Sequence, residues 1–173
     1  VTNNGGSTTS SSALLLVGPG LKLWEFETAG EVRSSPALDG NGHVYFGSYD
    51  HKIYAVNTVT GLEKWNFNAG SGIHSSPTLD QNGGLYFGSF NGFLYALDAQ
   101  SGTQRWKKNA GSGISSSPAI GSNGLIYVQS SLALIAVDRV TSNTVWNFPL
   151  IQNVGYASPS IGPDGTVYVS DSN

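Results

Sequence analysis

The chain has 173 residues, only 11% of them charged, and a formal net charge of −3 at pH 7. This low, slightly negative charge provides no basic surface for nucleic acid or for an anionic membrane. Cysteine is absent, which excludes disulfides, thiolate metal sites and cysteine nucleophiles, and no apolar run is long enough to span a membrane.

The first segment, residues 1–12 (VTNNGGSTTSSS), is small, polar and low in complexity. It carries too little apolar surface to order itself, so we predict a flexible tail before a single domain at 13–173. The chain begins at Val1 and contains no Met, which indicates a processed, truncated or excised chain. Tails of this kind often follow a cleaved export signal, so we expect a periplasmic, cell-surface or secreted bacterial protein.

Three residue series recur along the remaining chain with one common period. The tryptophans are spaced by 41, 41 and 40 residues, and the prolines and tyrosines are each spaced by 41. The series are Trp24, Trp65, Trp106 and Trp146; Pro36, Pro77, Pro118 and Pro159; and Tyr45, Tyr86, Tyr127 and Tyr168. Three independent series with one period identify a four-fold repeat protein.

Each repeat contains four short runs of strand length. In the second repeat these are HSSPTLD, LYFGSF, FLYALDA and TQRWKKN, separated by the turns QNGG, NG and QSG. No window keeps a helical period, so no helix is predicted. Four strands in about 41 residues are typical of a β-propeller blade. We therefore predict an all-β propeller with blades at 30–69, 70–110 and 111–154, and a fourth at 155–173 completed by 13–29.

The two ends of the predicted domain are complementary halves of this fourth blade. Residues 155–173 supply its first two strands and residues 13–29 its last two. Pairing the halves hides strand edges that would otherwise be exposed. A four-bladed ring made by one chain and an eight-bladed ring shared by two chains use the same halves, so monomer and homodimer both remain open. A fragment of a longer chain is the third alternative.

Three segments in successive repeats share a sequence pattern: AVNTVTGLEKW (55–65), ALDAQSGTQRW (96–106) and AVDRVTSNTVW (136–146). They resemble the tryptophan-docking motif Ala-x-Asp-x-x-Thr-Gly-x-x-x-Trp of the pyrroloquinoline-quinone-like (quinoprotein alcohol dehydrogenase-like) β-propellers. The resemblance covers residues 21–173, and this family includes outer-membrane assembly lipoproteins. The chain departs from the motif where Asn57 replaces Asp, where Ser142 replaces Gly, and before Trp24, where only Gly20 is kept.

The resemblance implies that the tryptophans pack between blades. Trp65, Trp106 and Trp146 would stack near Ala55, Ala96 and Ala136, while Gly61 and Gly102 would close the adjoining turns. A tryptophan that recurs once per unit on an outer strand, Trp24 included, is also better explained by packing than by ligand binding. One indole can bury about 150–250 Å².

The quinone enzymes of this family bind cofactor and calcium at the propeller axis through vicinal cysteines, clustered carboxylates and an arginine. Here cysteine is absent and the predicted innermost strands carry small polar residues. We therefore predict no cofactor, no metal and no enzymatic activity. The LDGNG, LDQNG and GPDG segments read as hairpin turns rather than calcium loops. His43, His51 and His74 lack zinc spacing, and we expect His43 and His51 at the surface beside a strand.

One position varies inside an otherwise repeated framework, three residues before each proline: Arg33, His74, Ser115 and Tyr156. If the family topology holds, these residues ring the propeller axis on its top face. The loop between the second and third strands shares that face and contributes Tyr49, Asp50, Phe90, Asn91, Gln129 and Asp171. Aromatic, amide and guanidinium groups on a concave rim are suited to a peptide or a sugar. The alternative is that they are ordinary solvated loop residues.

The sequence thus predicts a non-enzymatic scaffold for binding or assembly that acts through protein–protein contacts. Two alternatives remain. The first is a carbohydrate-binding module that uses the axial rim, and the second is a degenerate quinoprotein dehydrogenase domain.

Overall fold

The computed structural model describes the backbone of residues 11–17, 21–150 and 157–170, and the side chains of 22–150 and 157–170. These ranges contain sixteen β-strands and no helix, so none is available to cross a membrane within them. The strands are β1 (Ser11–Val17), β2 (Leu21–Thr28), β3 (Ala37–Leu38), β4 (His43–Gly47), β5 (Lys52–Asn57), β6 (Glu63–Asn68), β7 (Thr78–Leu79), β8 (Gly84–Gly88), β9 (Phe93–Asp98), β10 (Gln104–Asn109), β11 (Ala119–Ile120), β12 (Leu125–Gln129), β13 (Ala133–Asp138), β14 (Thr144–Pro149), β15 (Ser160–Ile161) and β16 (Val167–Tyr168).

The strands form three complete antiparallel blades and two half-blades. Strands β3–β6, β7–β10 and β11–β14 each make a four-stranded sheet in chain order, and we call these the first, second and third blades. Strands β1 and β2 form one two-stranded sheet and β15 and β16 another. The predicted all-β propeller fold is therefore confirmed.

The two middle strands of each complete blade form the core. Strand β8 is buried along its whole length, and β5, β9 and β13 are buried except at their ends. These runs are apolar on both faces because each blade is covered by a neighbour on either side. One buried cluster combines Tyr45 and Ile53 of the first blade with Leu85 and Phe87 of the second. The blades are thus held together by apolar burial across their interfaces.

Glycines on one blade provide sockets for isoleucines of the next. A Cβ atom added to Gly47 would overlap the side chain of Ile73, and one added to Gly88 would overlap Ile114. Both isoleucines are fully buried. The repeated Gly at the end of the second strand is therefore required by close approach of the neighbouring blade.

The two serines of each SSP segment have different structural roles. The first joins strands within a blade: Ser34 Oγ donates to the Gly47 carbonyl and accepts from the Gly47 N–H. The second joins neighbouring blades. The backbone N–H donates to the serine Oγ 41 residues later, for Ser35→Ser76 (2.8 Å), Ser76→Ser117 (3.0 Å) and Ser117→Ser158 (2.9 Å). Since these segments meet across the blades while the fourth strands are largely exposed, the first strands lie innermost.

The tryptophans of the fourth strands also connect neighbouring blades. Three of the four indoles donate their Nε1–H to a backbone carbonyl in the turn between the third and fourth strands of the next blade: Trp24 to Thr58 (2.8 Å), Trp65 to Ala99 (3.0 Å) and Trp106 to Arg139 (3.0 Å). Cross-strand pairing places Ala55, Ala96 and Ala136 opposite Trp65, Trp106 and Trp146. The rings of Trp24 and Trp65 lie over Gly61 and Gly102.

The half-blades at the two ends of the chain are separate two-stranded sheets. Within the described residues no strand ladder joins β1 or β2 to β15 or β16, so the expected pairing of the two halves stays a prediction. Trp24 and Phe26 of β2 pack against the buried residues Val44, Phe46 and Tyr54 of the first blade. Strand β1 begins at Ser11, two residues before the domain boundary expected at residue 13.

Candidate axial binding site

Equivalent backbone hydrogen bonds position the loops between the second and third strands. The N–H of Tyr49 donates to the Glu31 carbonyl (2.9 Å), and that of Phe90 donates to the Gly72 carbonyl (3.1 Å). Each bond ties the loop to the segment that enters the innermost strand of the same blade. Tyr49 and Phe90 are therefore presented at matching positions on adjacent blades.

Four of the predicted site residues form one contiguous group, which we call the axial cluster: Arg33, Tyr49, His74 and Phe90. The Tyr49 and Phe90 rings meet edge to face, with centroids 5.5 Å apart. The His74 ring lies 6.3 Å from that of Tyr49 and 6.4 Å from that of Phe90. The cluster thus spans the interface between the first and second blades, and its three rings are partly exposed.

Arg33 completes the cluster at its exposed edge. Its guanidinium carbon lies 5.1 Å from the centroid of the Tyr49 ring, within the range of a cation–π contact. Its Nε donates to Glu31 (2.6 Å), and this hydrogen bond, followed by the negative charge of Glu31, raises the pKa of Arg33. Arg33 therefore stays cationic while Glu31 partly balances its charge, which leaves an amphipathic rather than a strongly basic surface.

Ser115 belongs to the same rim through its backbone. Its carbonyl oxygen lies 3.4 Å from Nδ1 of His74, so the third blade helps to orient the imidazole. The side chain of Ser115 is partly exposed. Of the predicted positions, His74 thus contacts both the Tyr49 ring of the first blade and the Ser115 carbonyl of the third, whereas Tyr156 and Asp171 lie outside the described residues.

Two other predicted residues, Asp50 and Asn91, make hydrogen bonds that support the loops. Asp50 accepts hydrogen bonds from the Tyr54 hydroxyl (2.7 Å) and from the Ala29 N–H (3.1 Å). Asn91 donates to the Tyr95 hydroxyl (2.9 Å) and to the Ala69 carbonyl (2.6 Å). Both side chains fasten their loop to the strand that follows it.

Gln129, which the sequence analysis assigns to the same loop, is the last residue of β12 and is buried. Its Nε2 lies 3.4 Å from the Ser170 carbonyl, so it joins the third blade to β16 and its chain end. The residue whose N–H makes the loop hydrogen bond in this blade is Ser131, which donates to Gly113 (3.2 Å). The third blade thus contributes a small hydroxyl residue where the first two contribute aromatic rings.

The axial cluster does not fit a quinone with calcium. No group of three His, Cys, Asp or Glu side chains suited to a metal occurs among the described residues. The nearby arginine is engaged by Glu31, and the rings of Tyr49, His74 and Phe90 pack against one another. A flat cofactor would need parallel walls, whereas these rings meet one another at steep or tilted angles.

The Asp-rich turns at the opposite end of the blades bind their own backbone. Asp39 accepts from the N–H groups of Asn41 (2.7 Å) and His43 (3.0 Å) and from the Tyr45 hydroxyl (3.1 Å). Burial raises the pKa of Asp39, but the hydrogen bonds from His43 and Asn41 outweigh it, so the net pKa is lowered. His43, expected at the surface, is largely buried beside Asp39, while His51 is exposed.

A cavity of about 510 Å³, which was not predicted from the sequence, lies between the second and third blades at this opposite end. Its charged groups are Asp80 and Arg139, whose side chains lie 3.4 Å apart. The remaining lining comes mostly from turn residues, among them Gln81 and Asn82 of the LDQNG segment, which was interpreted from the sequence only as a hairpin turn. Because Arg139 already faces Asp80, the pair serves the blade interface.

Comparison with known proteins supports this fold. The sequence profile of the family of outer membrane protein assembly factor BamB matches residues 15–173. The structure is similar to BamB from Moraxella catarrhalis, with a TM-score of 0.76 and 16% identity over 93% of this chain. It is also similar to quinohemoprotein alcohol dehydrogenase from Comamonas testosteroni, with a TM-score of 0.62 and 20% identity over 70% of this chain. No curated protein matches the sequence.

The chain corresponds to 51% of the Moraxella BamB chain and 21% of the dehydrogenase chain, so it spans about half the length of the first. The repeated blades define its class, a pyrroloquinoline-quinone-like β-propeller, which confirms the resemblance found in the sequence. Because the family profile covers nearly the whole chain, the protein belongs to the family of the outer membrane protein assembly factor BamB.

Proposed function

We propose that this chain is a non-enzymatic propeller scaffold that binds another protein through its axial cluster during outer-membrane protein assembly. The observation that carries the proposal is the contact of Arg33, Tyr49, His74 and Phe90 across a blade interface. Tyrosine and arginine are among the residues that are enriched at the energetic hot spots of protein interfaces. The family relationship supports assembly as the process, and with it a periplasmic or cell-surface location.

The geometry of the cluster favours a protein over a sugar as its ligand. Sugars stack on an exposed flat ring face, but the Tyr49 and Phe90 rings meet edge to face at 71°. Their partly buried rings leave a ridged surface on which an apolar side chain can pack, with Arg33 at the edge to bind a carbonyl or carboxylate. The protein-binding function is therefore preferred to the carbohydrate-binding alternative.

Site-specific photo-crosslinking tests the proposal. A benzophenone amino acid is introduced at Phe90, and the purified chain is combined with the purified outer-membrane assembly machinery of the organism that produces it. We expect a covalent adduct with one component, and we expect Tyr49→Ala or Arg33→Ala to reduce its yield several-fold. The control carries the same amino acid at Lys64, an exposed position on β6.

Equal adduct yields at the two positions, or none at Phe90, would overturn the proposed interface. A glycan array provides the competing test. Specific glycan binding that is lost on Phe90→Ala would replace the protein-binding proposal with the carbohydrate-binding one.

A further inference from the structure

The cavity between the second and third blades has walls that belong to two complete four-stranded sheets. We call it the interblade cavity. Its volume of about 510 Å³ lies in the range of sites that hold small molecules. A smaller cavity of about 240 Å³ lies beside it, next to the fourth strand of the second blade. Asp80, Asn82 and Arg139 line both cavities, so the Arg139 side chain stands between the two spaces.

Arg139 has hydrogen-bonding capacity that the described part of the chain does not use. Its Nη1 lies 3.4 Å from Oδ2 of Asp80, which is longer than the usual charge-assisted hydrogen bond of about 2.7–2.9 Å. No second ion pair reaches this guanidinium within the described residues. A guanidinium has five N–H donors that point in different directions in one plane. Arg139 can therefore keep its contact with Asp80 and bind a second acceptor.

The carboxylate of Asp80 is held by its own blade. Oδ1 accepts from the N–H groups of Asn82 (2.8 Å) and Gly84 (2.7 Å), and Oδ2 accepts from the Tyr86 hydroxyl (2.9 Å). Its side chain is only 3% exposed. These three hydrogen bonds position Asp80 without a donor from the neighbouring blade.

The equivalent interface between the first and second blades forms without an arginine. The carbonyl that accepts from the tryptophan Nε1 belongs to Ala99 at that interface and to Arg139 at this one, so the two residues occupy equivalent positions. At the first interface the carboxylate of Asp39 is contacted by His43 of its own blade, with Nδ1 and Oδ2 2.9 Å apart. Packing of neighbouring blades therefore does not require a long cationic side chain at this position.

The rest of the lining combines neutral polar groups with an aliphatic wall. The side chains of Gln81, Asn82 and Ser122 are exposed and make no hydrogen bond within the described ranges. Leu79 and Ile120, the last residues of β7 and β11, supply the aliphatic surface. The cavity thus offers unused amide and hydroxyl groups beside partly buried apolar side chains.

The other charged groups near the cavity do not replace Arg139. Arg105, in the smaller cavity, donates to Asp98 (2.9 Å) and to two carbonyls of the neighbouring turn. The turn of the third blade brings no carboxylate to the interblade cavity, because Gly121 stands where the second blade has Asp80. Arg139 is therefore the cation that can receive an anionic group there.

We propose that the interblade cavity binds a ligand that carries a carboxylate beside an amide and a short aliphatic group. Arg139 pairs with the carboxylate, and the side chains of Gln81 and Asn82 hydrogen-bond with the amide. Leu79 and Ile120 contact the aliphatic group. This combination is the chemistry of an N-acylated amino acid and of the last residue of a peptide. The cavity and the axial cluster lie at opposite ends of the blades, so this proposal does not depend on the proposed function.

An NMR titration of the isotope-labelled chain with N-acetylleucine tests the carboxylate site. N-acetylleucinamide is the matched control, since it has the same shape and no charge. We expect saturable shifts of the Gly121 and Gly124 amide signals with the acid. The amide should bind about ten-fold more weakly or less, because it loses the charged pair with the guanidinium. Equal affinities of the two compounds, or no binding of the acid, overturn the proposal.

Arg139→Ala removes the cation and should preserve the fold, because Ala99 stands at the equivalent position of the second blade. We expect the affinity for N-acetylleucine to fall about ten-fold or more, with an unchanged circular dichroism spectrum. Lys64→Ala removes one positive charge from the exposed side of β6 and should leave the affinity unchanged. An equal loss in both variants means that the attraction is non-specific, and this result overturns the proposal.

Ser122→Trp tests the cavity and keeps the arginine. Ser122 lies in an exposed turn, so a bulky side chain there obstructs the space while the Arg139–Asp80 contact remains. We expect this variant to lose binding of N-acetylleucine as well. Unchanged binding places the ligand outside the cavity and overturns the proposal.

A comparison of N-acetylleucine with N-acetyl-Gly-Gly-Leu identifies the source of the carboxylate. Tighter binding of the peptide supports the end of a polypeptide chain as the ligand, and equal binding supports a free acylated amino acid. Loss of peptide binding relative to the acid alone means that the cavity accepts only the free compound. Binding of either compound has to disappear in Arg139→Ala, and its persistence overturns the proposal.

Discussion

The backbone N–H of Ser76 donates a 3.0 Å hydrogen bond to Oγ of Ser117, its counterpart in the next blade. The same bond occurs one blade earlier and one blade later, so four serines connect four successive units around the axis. The second serine of each SSP segment is therefore set by the neighbouring blade. This explains why the residue recurs while the residue two positions before it varies.

Removing one hydroxyl from this series should weaken one blade interface. In Ser117→Ala the N–H of Ser76 loses its acceptor, and an unpaired, partly buried donor costs about 1 kcal/mol. Urea denaturation should show a decrease of that size in the free energy of unfolding. Ser122→Ala, at an exposed turn position, is the control and should change it by less than about 0.5 kcal/mol. Equal effects of the two substitutions would contradict the role of the series.

The steric effect of the Trp65 ring on position 102 can be measured separately from the effect of backbone strain. Gly102 and Gly111 both have positive φ, 72° and 83°, so alanine is strained at either position. A Cβ at Gly102 would lie 2.7 Å from the Trp65 ring, whereas one at Gly111 meets nothing within 4 Å. Gly102→Ala should therefore destabilise the fold by about 1–3 kcal/mol more than Gly111→Ala. Thermal or urea unfolding of the two variants measures the difference.

His51 has a left-handed backbone conformation, and the equivalent residue of the second blade, which has the same conformation, is Gly92. Its φ is 77°, and that of Gly92 is 84°. His51→Gly should relieve the strain of a left-handed side-chain-bearing residue and stabilise the fold by about 1 kcal/mol. His51→Ala keeps the strain and serves as the control, so it should give little or no gain. If both variants were equally stabilised, the imidazole rather than the backbone would be the cause.

Asp98 should make stability depend on pH. A hydrogen bond from Arg105, followed by one from the Ser101 N–H, lowers the pKa of Asp98 below its usual 3.8. A folded-state pKa below the unfolded one means that the ionised group stabilises the fold above the unfolded pKa. This contribution is lost as the pH falls through the folded pKa. The free energy of unfolding should therefore decrease less steeply on acidification in Asp98→Asn than in the unmodified chain.

The first blade provides the structural control for this substitution. Asn57 stands at the equivalent position, and its Oδ1 accepts from Val59 N and Thr60 N, as Asp98 Oδ1 accepts from Gln100 N and Ser101 N. Asp98→Asn should thus keep the turn and, near neutral pH, cost no more than about 1 kcal/mol from the exposed pair with Arg105. An unchanged pH dependence would show that Asp98 does not contribute to it.

The propeller could be predicted from the sequence because its determinants recur at one spacing. Tryptophan, proline and tyrosine mark the same strands in every repeat. The apolar middle strands indicate that each blade is covered by a neighbouring blade on both faces. The joining of the half-blades could not be predicted in this way. Within the described residues β1 and β16 each pair with a single strand, and the sequence pattern of a half-blade is the same whether one chain, two chains or a longer chain completes it.

The candidate site could be predicted only in part. Arg33, Tyr49, His74 and Phe90 are brought together because variable positions of adjacent repeats share one end of the blades. Asp50 and Asn91 occupy the same loops but bind Tyr54 and Tyr95, four residues further on. That Asp/Asn-to-Tyr spacing was visible in the sequence as a sign of a structural role.

The Gly–Ile sockets between blades limit how this protein can diverge. Gly47 receives Ile73 and Gly88 receives Ile114, so neither partner can change size alone. The next pair at the same spacing is Gln129 and Gly155, the latter outside the described residues, and here the large and small residues have exchanged places in the sequence. Individual blades can therefore not be exchanged freely. A chimera or a duplicated blade remains well packed only when both residues of each interface pair are kept together.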